Sequence, residues 1–235
     1  MTKLRPFFSY FGGKYRVAPK YPNPRYDVII EPFAGSAGYS VRHFDHIVIL
    51  LDADPIICGV WDYLIHVSQK EVLRLPVGIS HIDEVQAPQE AKWLVGFWLN
   101  KGTVIPHKTP SAWMRKSSSP YNFWGEPIRN RIASQVDIIR HWQIINCDYG
   151  QSGYNGMEAT WFVDPPYAHA SGSLYRFHDI DYRILGAWCT SLRGQAIVCE
   201  RDGAEWLPFK QFATIKSTEG RHGKHQSKEV MWCNG

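Results

Sequence analysis

Short apolar runs, separated by turn and helix signals, organise most of this chain. Residues 26–33 (YDVIIEPF), 47–52 (IVILLD), 144–147 (IINC), 160–164 (TWFVD) and 195–200 (QAIVCE) read as strands. Most of these runs are continuously apolar, the pattern of strands covered on both faces in a parallel sheet. Helical candidates at 36–44, 55–68 and 181–192 fall between them. Alternation of strand and helix predicts an α/β fold built on a doubly wound sheet. Towards the end, 209–217 and 228–233 predict a hairpin with a long, basic, glycine-containing tip.

The alternation fails between 63 and 140, which predicts an insertion there and a main domain formed by 1–62 and 141–235. The insert holds helical candidates at 89–100 and 128–142, flanking the segment TPSAWMRKSSSPYNFWGEP. Trp113, Tyr121, Phe123 and Trp124 in that segment have two readings. They stack on or wedge between flat ligands, or they form a small core of the insert.

Composition narrows the class. Hydrophobic residues make up 44% and charged residues 20% of the 235 positions, values that argue against wholesale disorder. The net charge of +4 is unevenly placed. Between 101 and 131 lie Lys101, Lys108, Arg115, Lys116, Arg129 and Arg131 against Glu126 alone, and between 210 and 228 five basic residues face Glu219. Two basic segments on an otherwise acidic chain suit a polyanionic partner. Arg115, Lys116, Arg129, Arg131, Arg221 and Lys224 are the candidate phosphate contacts. Cys58, Cys147, Cys189, Cys199 and Cys233 are odd in number and form no C-x-x-C pair, so they read as reduced residues. No apolar run approaches the ~18 residues a bilayer span needs, and the expected location is the cytoplasm. His222 and His225 lack a cysteine or acidic partner at ligand spacing, so no metal site is expected.

Chemistry concentrates at strand ends. Asp164-Pro165-Pro166-Tyr167 follows an apolar run, which delivers a carboxylate at the strand's carboxyl end. Two prolines remove two N–H donors and fix φ, giving a stiff turn that offers an acid, a free carbonyl and an aromatic ring. Such a set suits an exocyclic amino group: two acceptors for its protons and a flat face for its ring. Glu31-Pro32-Phe33-Ala34-Gly35-Ser36-Ala37-Gly38 follows the first strand, where glycines allow a tight turn and close approach of backbone to ligand. Its spacing is neither G-x-G-x-x-G nor a P-loop. Asp52 ends the second strand, where a carboxylate accepts ribose hydroxyls, with Asp54 as competitor. Tyr10-Phe11-Gly12-Gly13-Lys14 is a pliable turn carrying an ammonium and an aromatic, and Asp148 is a further acid at a strand end.

In this order, Tyr10 to Lys14, EPFAGSAG, Asp52, a variable insert, Asp148 and DPPY, the chain resembles the Dam-type DNA adenine methyltransferases. The resemblance implies a Rossmann-like sheet that binds S-adenosylmethionine (SAM), with the insert in the place of the target-recognition region. It implies that Tyr10, Gly12, Gly13 and Lys14 line the cofactor's methionine end. Glu31, Pro32, Phe33, Ala34, Gly35, Ser36 and Gly38 would form the glycine-rich pocket. Asp52 would take the ribose and Asp148 the cofactor adenine. Asp164 and the Pro165 carbonyl would hold the target amino group, with Pro166 stiffening the turn and Tyr167 stacking on a flipped adenine in double-stranded DNA. The family's GATC-reading hairpin has no recognisable counterpart, so no recognition sequence carries over. The expected assembly is a monomer or a weak dimer on DNA. The same amino-group trap could serve N4-cytosine or RNA adenine methylation, but the Dam-type order and Asp rather than Ser opening DPPY favour DNA adenine; the intact DPPY argues against the remaining alternative, a silent nucleic-acid-binding fold.

Overall fold

The computed structural model describes residues 3–117, 119, 121–216 and 226–234. Seven strands, β1 (Val28–Glu31), β2 (Ile47–Asp52), β3 (Gln143–Asn146), β4 (Ala159–Val163), β5 (Gly194–Arg201), β6 (Lys210–Lys216) and β7 (Gln226–Cys233), form one sheet in the order β3-β2-β1-β4-β5-β7-β6. The strands from β3 to β5 pair in parallel, and β7 runs antiparallel to both β5 and β6. The mixed α/β class expected from the continuously apolar runs is therefore present. The strand order reverses between β1 and β4, so the crevice at the carboxyl ends of these two strands is where an open α/β sheet gathers ligands.

Six α-helices accompany the sheet among the described residues: α1 (Pro55–His66), α2 (Gln69–Arg74), α3 (Gln89–Trp98), α4 (Ala112–Lys116), α5 (Glu126–Ala133) and α6 (Tyr182–Ser191). The Asp54 carboxylate caps α1 by accepting from Ile56 N, while Asp181 caps α6 through Arg183 N and Ile184 N. One face of the sheet is covered by α6, with Leu185 and Cys189 packed among Ile30, Leu51, Trp161 and Val198. A single apolar cluster covers the other face. It joins Ile29, Leu50 and Phe162 of the strands to Trp61 of α1, Leu94 and Phe97 of α3 and Ile128 of α5. Helices from 63–140 thus bury against the same core as the sheet. Trp124 is buried in that core and Phe123 is buried too, whereas Trp113 and Tyr121 are 63% and 69% exposed.

One expected element is absent: 36–44 forms a series of turns rather than a helix. Gly35 and Ala37 both adopt positive φ, +43° and +47°, which interrupts the run of right-handed residues a helix start requires. Tyr39 is drawn inward instead, stacking on Phe162 of β4 with centroids 4.4 Å apart and planes 5° from parallel. The predicted helix over 128–142 stops at Ala133, and a short 3-10 turn, Val136–Ile139, replaces its second half. Cys58, Cys147, Cys189 and Cys199 are free thiols. No helix among the described residues is long and apolar enough to cross a membrane.

Candidate active site

β1 ends in Glu31, β2 ends in Asp52, and Asp164 follows β4 directly. Because β1 lies between β2 and β4, three carboxyl groups meet at one rim of the sheet. A cavity of about 270 Å3 opens there. Its walls bring together Tyr10, Gly12, Gly13, Lys14, Glu31, Phe33, Ala34, Gly35, Ser36 and Gly38 with Asp52, Asp148, Asp164 and Pro166. Pro32, Pro165 and Tyr167 lie outside the lining. A segment that carries no motif, Tyr175 to Ile180, closes the remaining side.

The two glycine-bearing loops are pressed against each other. A side chain on Gly35, which already needs positive φ, would meet the Tyr10 ring at 3.1 Å. One on Gly38 would strike Tyr15 N at 2.4 Å. The non-glycine Ala37 keeps its left-handed conformation between them, a strained position of the kind that clusters at binding sites.

Lys14 is the hub of the polar groups. Its Nζ lies 2.8 Å from Asp164 Oδ1 and 2.9 Å from Oδ2, donates to Gly12 O at 3.1 Å and sits 4.8 Å from the Tyr167 ring centroid. Burial holds the Asp164 carboxyl above its usual range, and Lys14 offsets only part of that rise. For Lys14 burial works in the lowering direction, but the carboxylates of Asp164 and Glu229 outweigh it and hold the ammonium above its usual range. Glu31 is 2% exposed; burial raises its carboxyl to about 8, against the hydrogen bonds from Ser40. Asp52 is likewise raised by burial, to about 6, while Oδ2 accepts from Gly35 N at 2.9 Å and Oδ1 from Asp54 N at 2.9 Å. Asp54 caps α1 and pairs with Arg176 at 3.1 Å, so the competitor of Asp52 has structural duties. Around the cavity stand six carboxyl groups (Glu31, Asp52, Asp54, Asp148, Asp164, Asp179) and two cationic side chains (Lys14, Arg176).

The DPPY turn is braced from three sides. The Tyr182 hydroxyl donates to Pro166 O at 2.7 Å, and among the described residues no group donates to the Pro165 carbonyl. Ala168 N donates to Glu200 Oε2 at 3.1 Å, and the Tyr167 hydroxyl donates to Glu229 Oε2 at 2.5 Å. Both glutamates are buried. Sequence reasoning gave neither a role. Glu200 carried a usable signal, an acid closing an apolar strand; Glu229, between Lys228 and Val230, reads as a solvent-facing residue.

The basic candidates divide. Arg115 and Lys116 on α4 are exposed, with Arg115 Nη1 donating to Pro110 O at 2.5 Å. Arg129 donates to Leu75 O at 3.2 Å. Arg131 donates to Pro6 O at 2.9 Å and its guanidinium lies over the Trp98 ring at 5.2 Å, where burial lowers it to about 10. These two arginines brace the fold. Arg221, Lys224, His222 and His225 lie outside the described residues. No group of three or more His, Cys, Asp or Glu that could hold a metal ion occurs among the described residues.

No protein-family model matches the chain, and no curated protein matches it. Among solved structures, a conserved hypothetical protein of Streptococcus pyogenes is similar over 93% of this chain and 91% of its own, with 8% identity and a TM-score of 0.39. That likeness is too slight to carry fold or function across.

Proposed function

We propose that the chain is a SAM-dependent DNA methyltransferase that transfers a methyl group to the exocyclic N6 amino group of a flipped-out adenine. The observation that carries this reading is an acid-walled cavity at the switch point of a mostly parallel α/β sheet, with Asp164 in its wall. Even with Glu31 protonated, five aspartates against two cations disfavour the pyrophosphate of a dinucleotide. They favour a nucleoside that is itself cationic, and SAM carries both a sulfonium and an ammonium.

The residues present fit that cofactor. Each Asp52 oxygen holds one backbone N–H and keeps lone pairs for ribose hydroxyls. Tyr10, Lys14 and Glu31 would face the methionine end, and Asp148 the adenine. When bound, the cofactor would supply an activated methyl group on sulfur. The chain's own contribution is to hold and polarise the amine. Asp164 Oδ1 takes the Lys14 ammonium at 2.8 Å and keeps a lone pair for a further donor, and the Pro165 carbonyl is open among the described residues. Accepting both amino protons there would draw the nitrogen lone pair out of the ring and stabilise the positive charge that develops on it. Lys14, 2.8 Å from Asp164, offsets part of the upward push of burial on that carboxyl and favours its ionised form, the form that accepts hydrogen bonds. Alignment supplies much of the remaining acceleration. A base inside a duplex must leave the stack to reach this cavity, at a cost of a few kcal/mol. Exposed Arg115 and Lys116 would contribute sequence-independent phosphate contacts.

Incubation with labelled SAM and unmethylated duplex DNA, followed by mapping of the modified bases, tests the activity and the base together. Asp164→Ala should lower transfer by roughly 10²–10³-fold or more while SAM still binds. Undiminished turnover in that variant would sink the mechanism.

A further inference from the structure

Glu229 belongs to β7, the antiparallel strand beyond the parallel part of the sheet, in register with Arg201 of β5. It is 6% exposed and does not line the cavity, yet its Oε2 receives the Tyr167 hydroxyl at 2.5 Å. Tyr167 also has the Lys14 ammonium 4.8 Å from its ring centroid, and Lys14 in turn holds Asp164. The four side chains form one buried cluster with two carboxyl groups and one ammonium. We propose that Glu229 is a positioning residue of the amine trap, fixing the Tyr167 ring through its hydroxyl and leaving the cluster beneath Asp164 with more negative than positive charge. The inference rests on the reading of Asp164 and Pro165 as acceptors for a target amine.

The geometry gives both halves a physical basis. The Tyr167 backbone is fixed by two preceding prolines, so the ring swings only about its side-chain bonds. Anchoring the hydroxyl as well removes that swing and presents the ring in one orientation. A buried phenol needs a partner in any case, and a charged acceptor binds it more firmly than a neutral one. Excess negative charge in a water-poor site is fixed before reaction begins, which is the condition for stabilising charge that appears on the amine.

The test uses the full chain with Glu229→Gln, which keeps an acceptor but removes the charge, and Glu229→Leu, which removes both. Labelling with 3-fluorotyrosine gives a 19F resonance for Tyr167, assigned through Tyr167→Phe. Glu229→Leu should shift and broaden that resonance, and Glu229→Gln should leave it near its original position. In methyl transfer to an adenine-containing duplex, Glu229→Gln should lower kcat by roughly tenfold or more with cofactor affinity unchanged. Glu229→Leu should lower kcat further and raise KM for the duplex. An unmoved Tyr167 resonance in Glu229→Leu, or unchanged kcat in both variants of an active enzyme, overturns the proposal. If the unmutated chain transfers no methyl group while the resonance still responds, the methyltransferase reading fails and the positioning of Tyr167 by Glu229 stands.

Discussion

Glu31 offers a measurement that needs no substrate. Its carboxyl sits at about 8 in the folded chain against an ordinary value of 4.5, because burial outweighs the hydrogen bond from Ser40 N at 2.6 Å. Between these two values the folded state keeps a proton that the unfolded chain releases. Stability linked to Glu31 is therefore fully present below about pH 4.5 and drains away as the pH rises to about 8. At 1.36 kcal/mol per pH unit the loss is on the order of 5 kcal/mol across the window. Glu31→Gln keeps an oxygen for Ser40 N but cannot ionise. Urea denaturation of both proteins at pH 4.5, 6 and 8 should show the variant gaining on the original chain at every step. A difference of 5 kcal/mol corresponds to roughly 10–20 °C in melting temperature for a chain of this size. Asp52, raised to about 6, titrates in both proteins and cancels from the comparison. Parallel stability profiles would refute the placement of a neutral Glu31 beside the cavity.

Other perturbations follow from the same contacts. Lys14→Met strands the Asp164 carboxylate and should destabilise the fold by about 3–5 kcal/mol at pH 7 in chemical denaturation; adding Asp164→Asn should recover much of the loss. Arg115→Ala with Lys116→Ala should reduce the slope of log affinity against log salt by up to about 2 in fluorescence anisotropy with duplex DNA. Arg131→Ala should leave that slope alone and instead lose about 1–3 kcal/mol of stability, since its bond to Pro6 O and its place over Trp98 are internal. An unchanged slope in the first variant would remove α4 from the interface.

Much of the sheet is legible in the sequence because its strands are continuously apolar: 47–52 is read as a strand and β2 spans those same residues. The carboxylates at strand ends are legible for the same reason, since the end of an apolar run marks where a side chain leaves the core. The turns at 36–44 are not, because the apolar spacing there looks helical and only the two left-handed residues at its start disclose otherwise. Pairings across long separations are also hidden. Nothing near Lys14 in the chain announces Asp164, and nothing near Tyr167 announces Glu229, 62 residues away. Likewise the inward turn of Arg131 is decided by Pro6 and Trp98, which a count of local charge cannot see.

The bond between Lys14 and Asp164 spans 150 residues, and it sets a timetable for a chain made from one end. Phe7 O waits for Trp98 Nε1, and the Arg5 backbone waits for Gln135. At about 5–20 residues per second, Asp164 is joined to the chain roughly 8–30 s after Lys14. In the early part of that interval Phe7 and Phe8 are made while Trp61 and Phe97, the rings they pack against, are not. The cleft is thus completed late, and truncation anywhere before β4 removes the Asp164 that Lys14 pairs with.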